Sequence, residues 1–218
     1  MAPPRLPEQL AELSALLAEM CVAVAGALRR ATAALLDRRE RLATQVIEGD
    51  DRVDALRARV ETVATEALLF HAPVAGDLRR VVAAIRAAGD IERMGDLAQH
   101  VAEAARRGHP GDLPPEIRQV VAQMGRIGVE LALKAAEVVR TRNVLLAVEL
   151  DGDDDAMDAE HRRILSVLLH PCWSHGVPTA VDLALLARYY ERFADHAVVV
   201  ARETVYAVTG RRPEGLAI

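Results

Sequence analysis

The sequence predicts an all-α protein of two tandem, similar three-helix bundles, six helices in all, and three observations predict it. The first is the palette. Half of the residues are hydrophobic (51%) but only 3% are aromatic, so the core must be built from Ala, Leu, Val and Ile, which suits close-packed helices better than strands. The second is periodicity: apolar residues recur at alternating steps of three and four through long stretches, the mark of a helix-bundle seam. The third is duplication. Asp50 and Asp54 stand 104 residues before Asp154 and Asp158, and Glu92 and Asp96 stand 99 before Glu191 and Asp195. The 218 residues thus divide into repeats at 1–109 and 110–218.

Each helix has its own punctuation. Pro7 suits a first helical position, and Leu10, Leu13, Leu17, Met20, Val24, Ala27, Ala31 and Ala34 form the first seam. The polar run Asp37 to Arg41 allows a break, after which Leu42, Val46, Val53, Leu56, Val60 and Val63 mark helix two. Phe70-His71-Ala72-Pro73 closes it, because the residue before proline resists the helical region. Helix three carries Asp77 in its first turn and is expected to bury Leu78, Val81, Ile85 and Ala88. Gly108 to Pro115 reads as the linker. The second half repeats the scheme. Helix four carries Ile117, Val120, Met124, Ile127, Leu131 and Val138, with a break near Asn143. Helix five carries the acidic run to about Leu169, and helix six extends from about Thr179 to Thr209, stopping at Gly210.

Composition narrows the function classes. A formal charge of −5 and a pI near 5.8 speak against nucleic acid, and the basic residues, all Arg except Lys134, are scattered. Cys21 and Cys172 are too few for a disulfide framework and are expected to be unpaired. There is no signal-like start, and the uninterrupted apolar runs fall short of the roughly 18 residues a membrane span needs. A soluble cytoplasmic protein is the expectation.

The acidic pairs carry the chemistry. Residues four apart share a helix face, so Glu92 and Asp96 present two carboxylates together, and Asp50 and Asp54 lie beside the seam of the neighbouring helix. Packed helices bring such pairs within reach of one another. Four carboxylates repel unless a cation neutralises them, and hard oxygen donors favour Mg, Mn, Ca or Fe(III) over zinc. One metal site per half follows, against the plainer reading that each pair is a solvated helix face bonded to Arg93 or Arg192. Other patterns are weaker. The run Asp151-Gly152-Asp153-Asp154-Asp155 lacks the Gly and Glu of a calcium loop, and its register is ambiguous, since Asp151/Asp155 has the same spacing as Asp154/Asp158. Asp158-x-x-His161 is the only such motif where a di-iron bundle enzyme needs two. Cys172-x-x-His175 has no second pair, and His196 is a ligand candidate or an ordinary half-buried histidine. No phosphate loop or nucleophile elbow is present.

The stretches PVAGDLRRVVAAIRAAGDIERMGDLA, from Pro73, and DLALLARYYERFADHA, from Asp182, resemble the PhoU family of phosphate-signalling regulators, as does the terminal VYAVTG. The resemblance spans nearly the whole chain. It implies two similar three-helix bundles with multinuclear metal clusters (Mg, Mn or Fe) on acid-x-x-x-acid motifs. The ligands it implies are Asp50, Asp54, Glu92 and Asp96, then Asp154, Asp158, Glu191 and Asp195. It further implies a non-enzymatic cytoplasmic regulator of phosphate homeostasis, often a homodimer. Such a protein represses the phosphate-starvation response by contact with the ATPase subunit of a phosphate ABC transporter and a membrane sensor histidine kinase. Ala194 departs from the family pattern, which has glycine before the last acid, and this places more weight on the first-half site. A carboxylate-bridged di-metal enzyme, or a paralogue serving another transporter or pathway, is the alternative.

Overall fold

The computed structural model describes residues 4–49, 51–108 and 113–211, and within them the secondary structure is helical. Eight helices follow in order: α1 Leu6–Asp37, α2 Glu40–Glu48, α3 Asp51–His71, α4 Ala75–Arg106, α5 Pro115–Thr141, α6 Val144–Asp153, α7 Asp155–Leu168 and α8 Gly176–Thr209. They make six rods, because α2 with α3 and α6 with α7 are each one predicted helix broken near its acidic residues. Gly49 caps α2, with its N–H on the Val46 carbonyl. In the second half Asp154 alone separates α6 from α7. Most of the punctuation works as read, although α8 starts at Gly176, ahead of the expected Thr179, with Pro178 in its first turn. Arg38 and Arg142 end α1 and α5 in the left-handed region (φ 53° and 55°), and Gly210 ends α8 at φ 74°.

Each half keeps a three-rod group. In the first, α2 and α3 pack on α1 and α4; in the second, α6 and α7 pack on α5 and α8. The groups then join over their long helices, with α1 against α5 and α4 against α8. The result is a central four-helix layer with one continuous apolar core running through both halves. Small residues permit the close approach between halves: a Cβ added to Gly125 of α5 would stand 2.6 Å from Thr32 of α1, and one on Gly128 would stand 2.7 Å from Leu28. At the same crossing the fully buried Tyr190 shares a 2.8 Å hydrogen bond with Thr32, whose hydroxyl also reaches the Leu28 carbonyl. Burial holds the Tyr190 phenol well above its ordinary range, so the pair stays neutral and satisfied.

Two expectations change. Leu78 and Ile85 are each 40% exposed; Val81 and Ala88 are buried as expected, and Ala84, Ala87, Ile91, Met94 and Ala98 complete the buried face of α4. This helix is flanked by α1, α2, α3 and α8, and interior faces that close accept alanine better than leucine. The second change concerns α1, which by length and composition is apolar enough to cross a membrane although no single run is. Here it is the central core helix, with Met20, Cys21, Val24 and Leu28 inaccessible to solvent. Both cysteines are unpaired, and burial pushes the Cys21 thiol up to about 12, which leaves it an inert apolar group.

Candidate metal centre

In the first half Asp54 lies exposed in the first turn of α3, while Glu92 and Asp96 lie half-buried on α4, one turn apart. Asp50 falls outside the described residues. Arg57, one turn beyond Asp54, donates to Glu92 across the α3–α4 contact and to Glu61 at 3.2 Å. Arg93 donates to Asp96 at 3.1 Å. These carboxylates therefore face guanidinium groups, and the Arg57–Glu92 bond ties the outer rod to the central layer.

The second half sorts its acidic run by partner. Asp151 accepts from Arg202 of α8, and Lys134 of α5 donates to Asp153 at 2.6 Å while reaching Glu149 at 3.3 Å. Asp155 faces solvent. Asp154, at the joint between α6 and α7, remains half-buried and turned toward α8. Its carboxyl is pushed up to about 7, by burial first and then by the charges of Asp195, Asp158, Glu191 and Asp151. Glu191 is raised too, by burial and then by Asp195, with the Arg188 guanidinium opposing. The structure thus resolves the ambiguous register in favour of Asp154/Asp158 and brings that pair to Glu191/Asp195. His161 sits beside them and is held below its ordinary value by burial and by Arg188.

Arg188 bonds one oxygen of Glu191, but the other, Oε2, is buried without a hydrogen-bond partner. An orphaned carboxylate oxygen among three further acids is a donor set that fits a hard cation. Among the described residues no three acidic, histidine or cysteine side chains close on one point at coordinating distance. Glu191 is turned to Arg188 as Glu92 is turned to Arg57. Both arginines are partly exposed, so each can swing aside for a cation. Arg93 takes the expected role on Asp96, while Arg57 and Arg188, which the expectation of Arg93 and Arg192 does not include, take it on Glu92 and Glu191. The i−3 spacing of Arg188 from Glu191 was visible; the reach of Arg57 between helices was not. His196 turns away from the acids to Asp90 of α4 at 3.0 Å, and Cys172 is exposed beside the Trp173–His175 ring contact.

The family model for the PhoU domain matches residues 17–105 and again 121–204. This chain belongs to the PhoU family. The two matches begin 104 residues apart and end 99 apart, the same two offsets that relate the acidic pairs. The chain is 50% identical over 207 residues to the phosphate-specific transport system accessory protein PhoU homolog 2 of Mycobacterium tuberculosis, covering 94% of this chain and 97% of that protein. It is likewise 50% identical to PhoU homolog 1 of Mycobacterium leprae, over 95% of this chain and 94% of that one. Two crystal structures share the fold. PhoU from Pseudomonas aeruginosa superposes with a TM-score of 0.84 at 24% identity, covering 95% of this chain and all of that one. The phosphate transport system regulatory protein PhoU from Streptococcus pneumoniae gives 0.86 at 21%, covering 96% and all of that chain.

Proposed function

We propose that this PhoU-family chain is a metal-binding cytoplasmic regulator of phosphate homeostasis that acts through protein contacts and has no catalytic role. Relatives at 50% identity over nearly their whole length bear the name of phosphate-specific transport system accessory proteins, which supports the pathway. The observation that carries the metal part is the buried, unpartnered Oε2 of Glu191 among the charges of Asp154, Asp158 and Asp195. These four residues hold a hard cation, Mg, Mn or Fe, and by duplication Asp50, Asp54, Glu92 and Asp96 hold its counterpart. A cation there pins the outer rod to the central layer and sets the shape of the surface each half presents. That surface, in a homodimer, meets the ATPase subunit of a phosphate transporter and a sensor kinase at the membrane.

A phosphatase reporter under phosphate-starvation control tests the reading in deletion strains grown in excess phosphate, with paralogues also removed. Loss of this chain is expected to leave the reporter on. A silent reporter in that background removes the chain from this pathway and leaves it serving another transporter or signal.

A further inference from the structure

The duplication makes the two ends of the four-helix layer equivalent, yet they are built differently. At one end Leu183 and Leu186 of α8 are buried and fill the space, and Arg118 of α5 donates to the Leu36 carbonyl and, at 3.3 Å, to Asp37. At the other end the corresponding positions, 99 residues earlier on α4, are Ala84 and Ala87, and Ser14 corresponds to Arg118 at the 104 offset. A cavity of about 340 Å³ results, with Leu10, Leu13, Leu17, Ala84, Ala87 and Val139 among its apolar lining. Its polar lining includes Arg79, Arg80 and Arg142. The second half has Pro178 and Thr179 where α4 has Arg79 and Arg80, so, although Arg38 and Arg118 stand at the filled end, the Arg79–Arg80 pair belongs to this end alone.

The charges there are uneven. Asp77 and Glu203 also line the cavity, but Asp77 is paired with Arg80 at 3.5 Å and Glu203 with Arg86 at 3.9 Å. Arg142 donates to the Ser14 hydroxyl at 3.3 Å, a neutral partner. Partial burial holds its guanidinium below the ordinary value, and the neighbouring charge of Arg80 adds like-charge crowding. Arg79 lies over Gly210, where an added Cβ would stand 3.2 Å from its guanidinium carbon, and its Nε is buried without a hydrogen-bond partner. Guanidinium forks match an oxyanion in two-point fashion. A doubly charged head relieves the crowding, and an organic body covers the aliphatic wall that a bare oxyanion would leave wet. A volume of this size lies at the lower end of the range for small-molecule pockets.

We propose that this cavity binds a small organic phosphomonoester, with its dianionic head on Arg79, Arg80 and Arg142 and its body against Leu10, Leu13 and Leu17. The assignment stands apart from the metal and regulatory readings. Isothermal titration of the full chain, chelated and metal-free, uses phenyl phosphate, inorganic phosphate, benzoate and phenol as probes. Phenyl phosphate is expected to bind with a sub-millimolar Kd, inorganic phosphate and benzoate about tenfold or more weaker, and phenol not at all. Arg142→Asn, which tolerates the left-handed backbone, weakens phenyl phosphate by about tenfold with the melting temperature little changed. Ala84→Leu copies the filled end and abolishes binding with every arginine in place. No saturable binding of phenyl phosphate, or equal binding to Arg142→Asn, overturns the site. Inorganic phosphate binding as tightly as phenyl phosphate overturns the organic ligand.

Discussion

The two acidic sets have the same spacing on equivalent helices, and their surroundings separate them. In the first half Glu92 is bonded by Arg57 from the neighbouring rod, Asp96 by Arg93, and Asp54 is solvated. In the second half Arg202 and Lys134 are taken up by Asp151 and Asp153, Arg188 holds only one oxygen of Glu191, and Asp154 and Glu191 are raised by burial and by the acids around them. Repeated spacing therefore establishes which residues share a face. Whether that face is already neutralised depends on where arginine and lysine side chains from other helices arrive.

The largest expected effect of this difference is on cation affinity. Combining Asp154→Asn with Glu191→Gln is expected to weaken Mn²⁺ binding to the second half by about a hundredfold, or ~2.7 kcal/mol. Glu92→Ala with Asp96→Ala is expected to remove only the weaker first-half binding, about a tenfold effect or less, with helicity retained. Titration of chelator-free protein reads both, and a greater loss from the first-half pair would reverse the ranking.

A smaller effect follows from the Asp154 carboxyl, which titrates near 7 in the folded chain and near 3.9 when unfolded. Between those values the folded state holds a proton that the unfolded state has released. Stability of the chelated protein therefore falls as pH rises through that window. Asp154→Asn has no such proton to lose. It should match the parent at pH 4 and exceed it at pH 8 by on the order of 1 kcal/mol, allowing for solvent screening at this half-buried joint. Urea melts across the window check it, and identical slopes would mean that burial and the neighbouring acids do not hold the Asp154 carboxyl up.

The smallest effect is that of Arg57→Ala. Losing a partly exposed pair costs about 0.2–1 kcal/mol, yet it is expected to raise cation affinity in the first half, because Glu92 is released. A fall in affinity would show that Arg57 supports the site rather than occupying it.

Much of the fold could be read directly. Pro7, Pro73, Pro115 and Gly210 mark helix ends because their backbone chemistry is local, and the doubled offsets identify the repeat. The buried face of α4 was harder. Leu78 and Ile85 are the more hydrophobic residues, but α4 is enclosed by several helices and presents alanines to them. Hydrophobicity ranks residues by transfer energy, whereas an enclosed helix selects them by size.

By itself, then, the sequence determined the helical class, the duplication, and which acids stand one turn apart, since each follows from the period of a single helix. Three matters were decided only by tertiary structure: the joining of both halves into one core, the choice of Asp154 over Asp151 as the inward acid, and the open end where Ala84 and Ala87 stand opposite Arg142. Each depends on the rotation of one helix against another. Side-chain volume and charge at contacts between residues far apart in sequence set that rotation, and no local pattern records it.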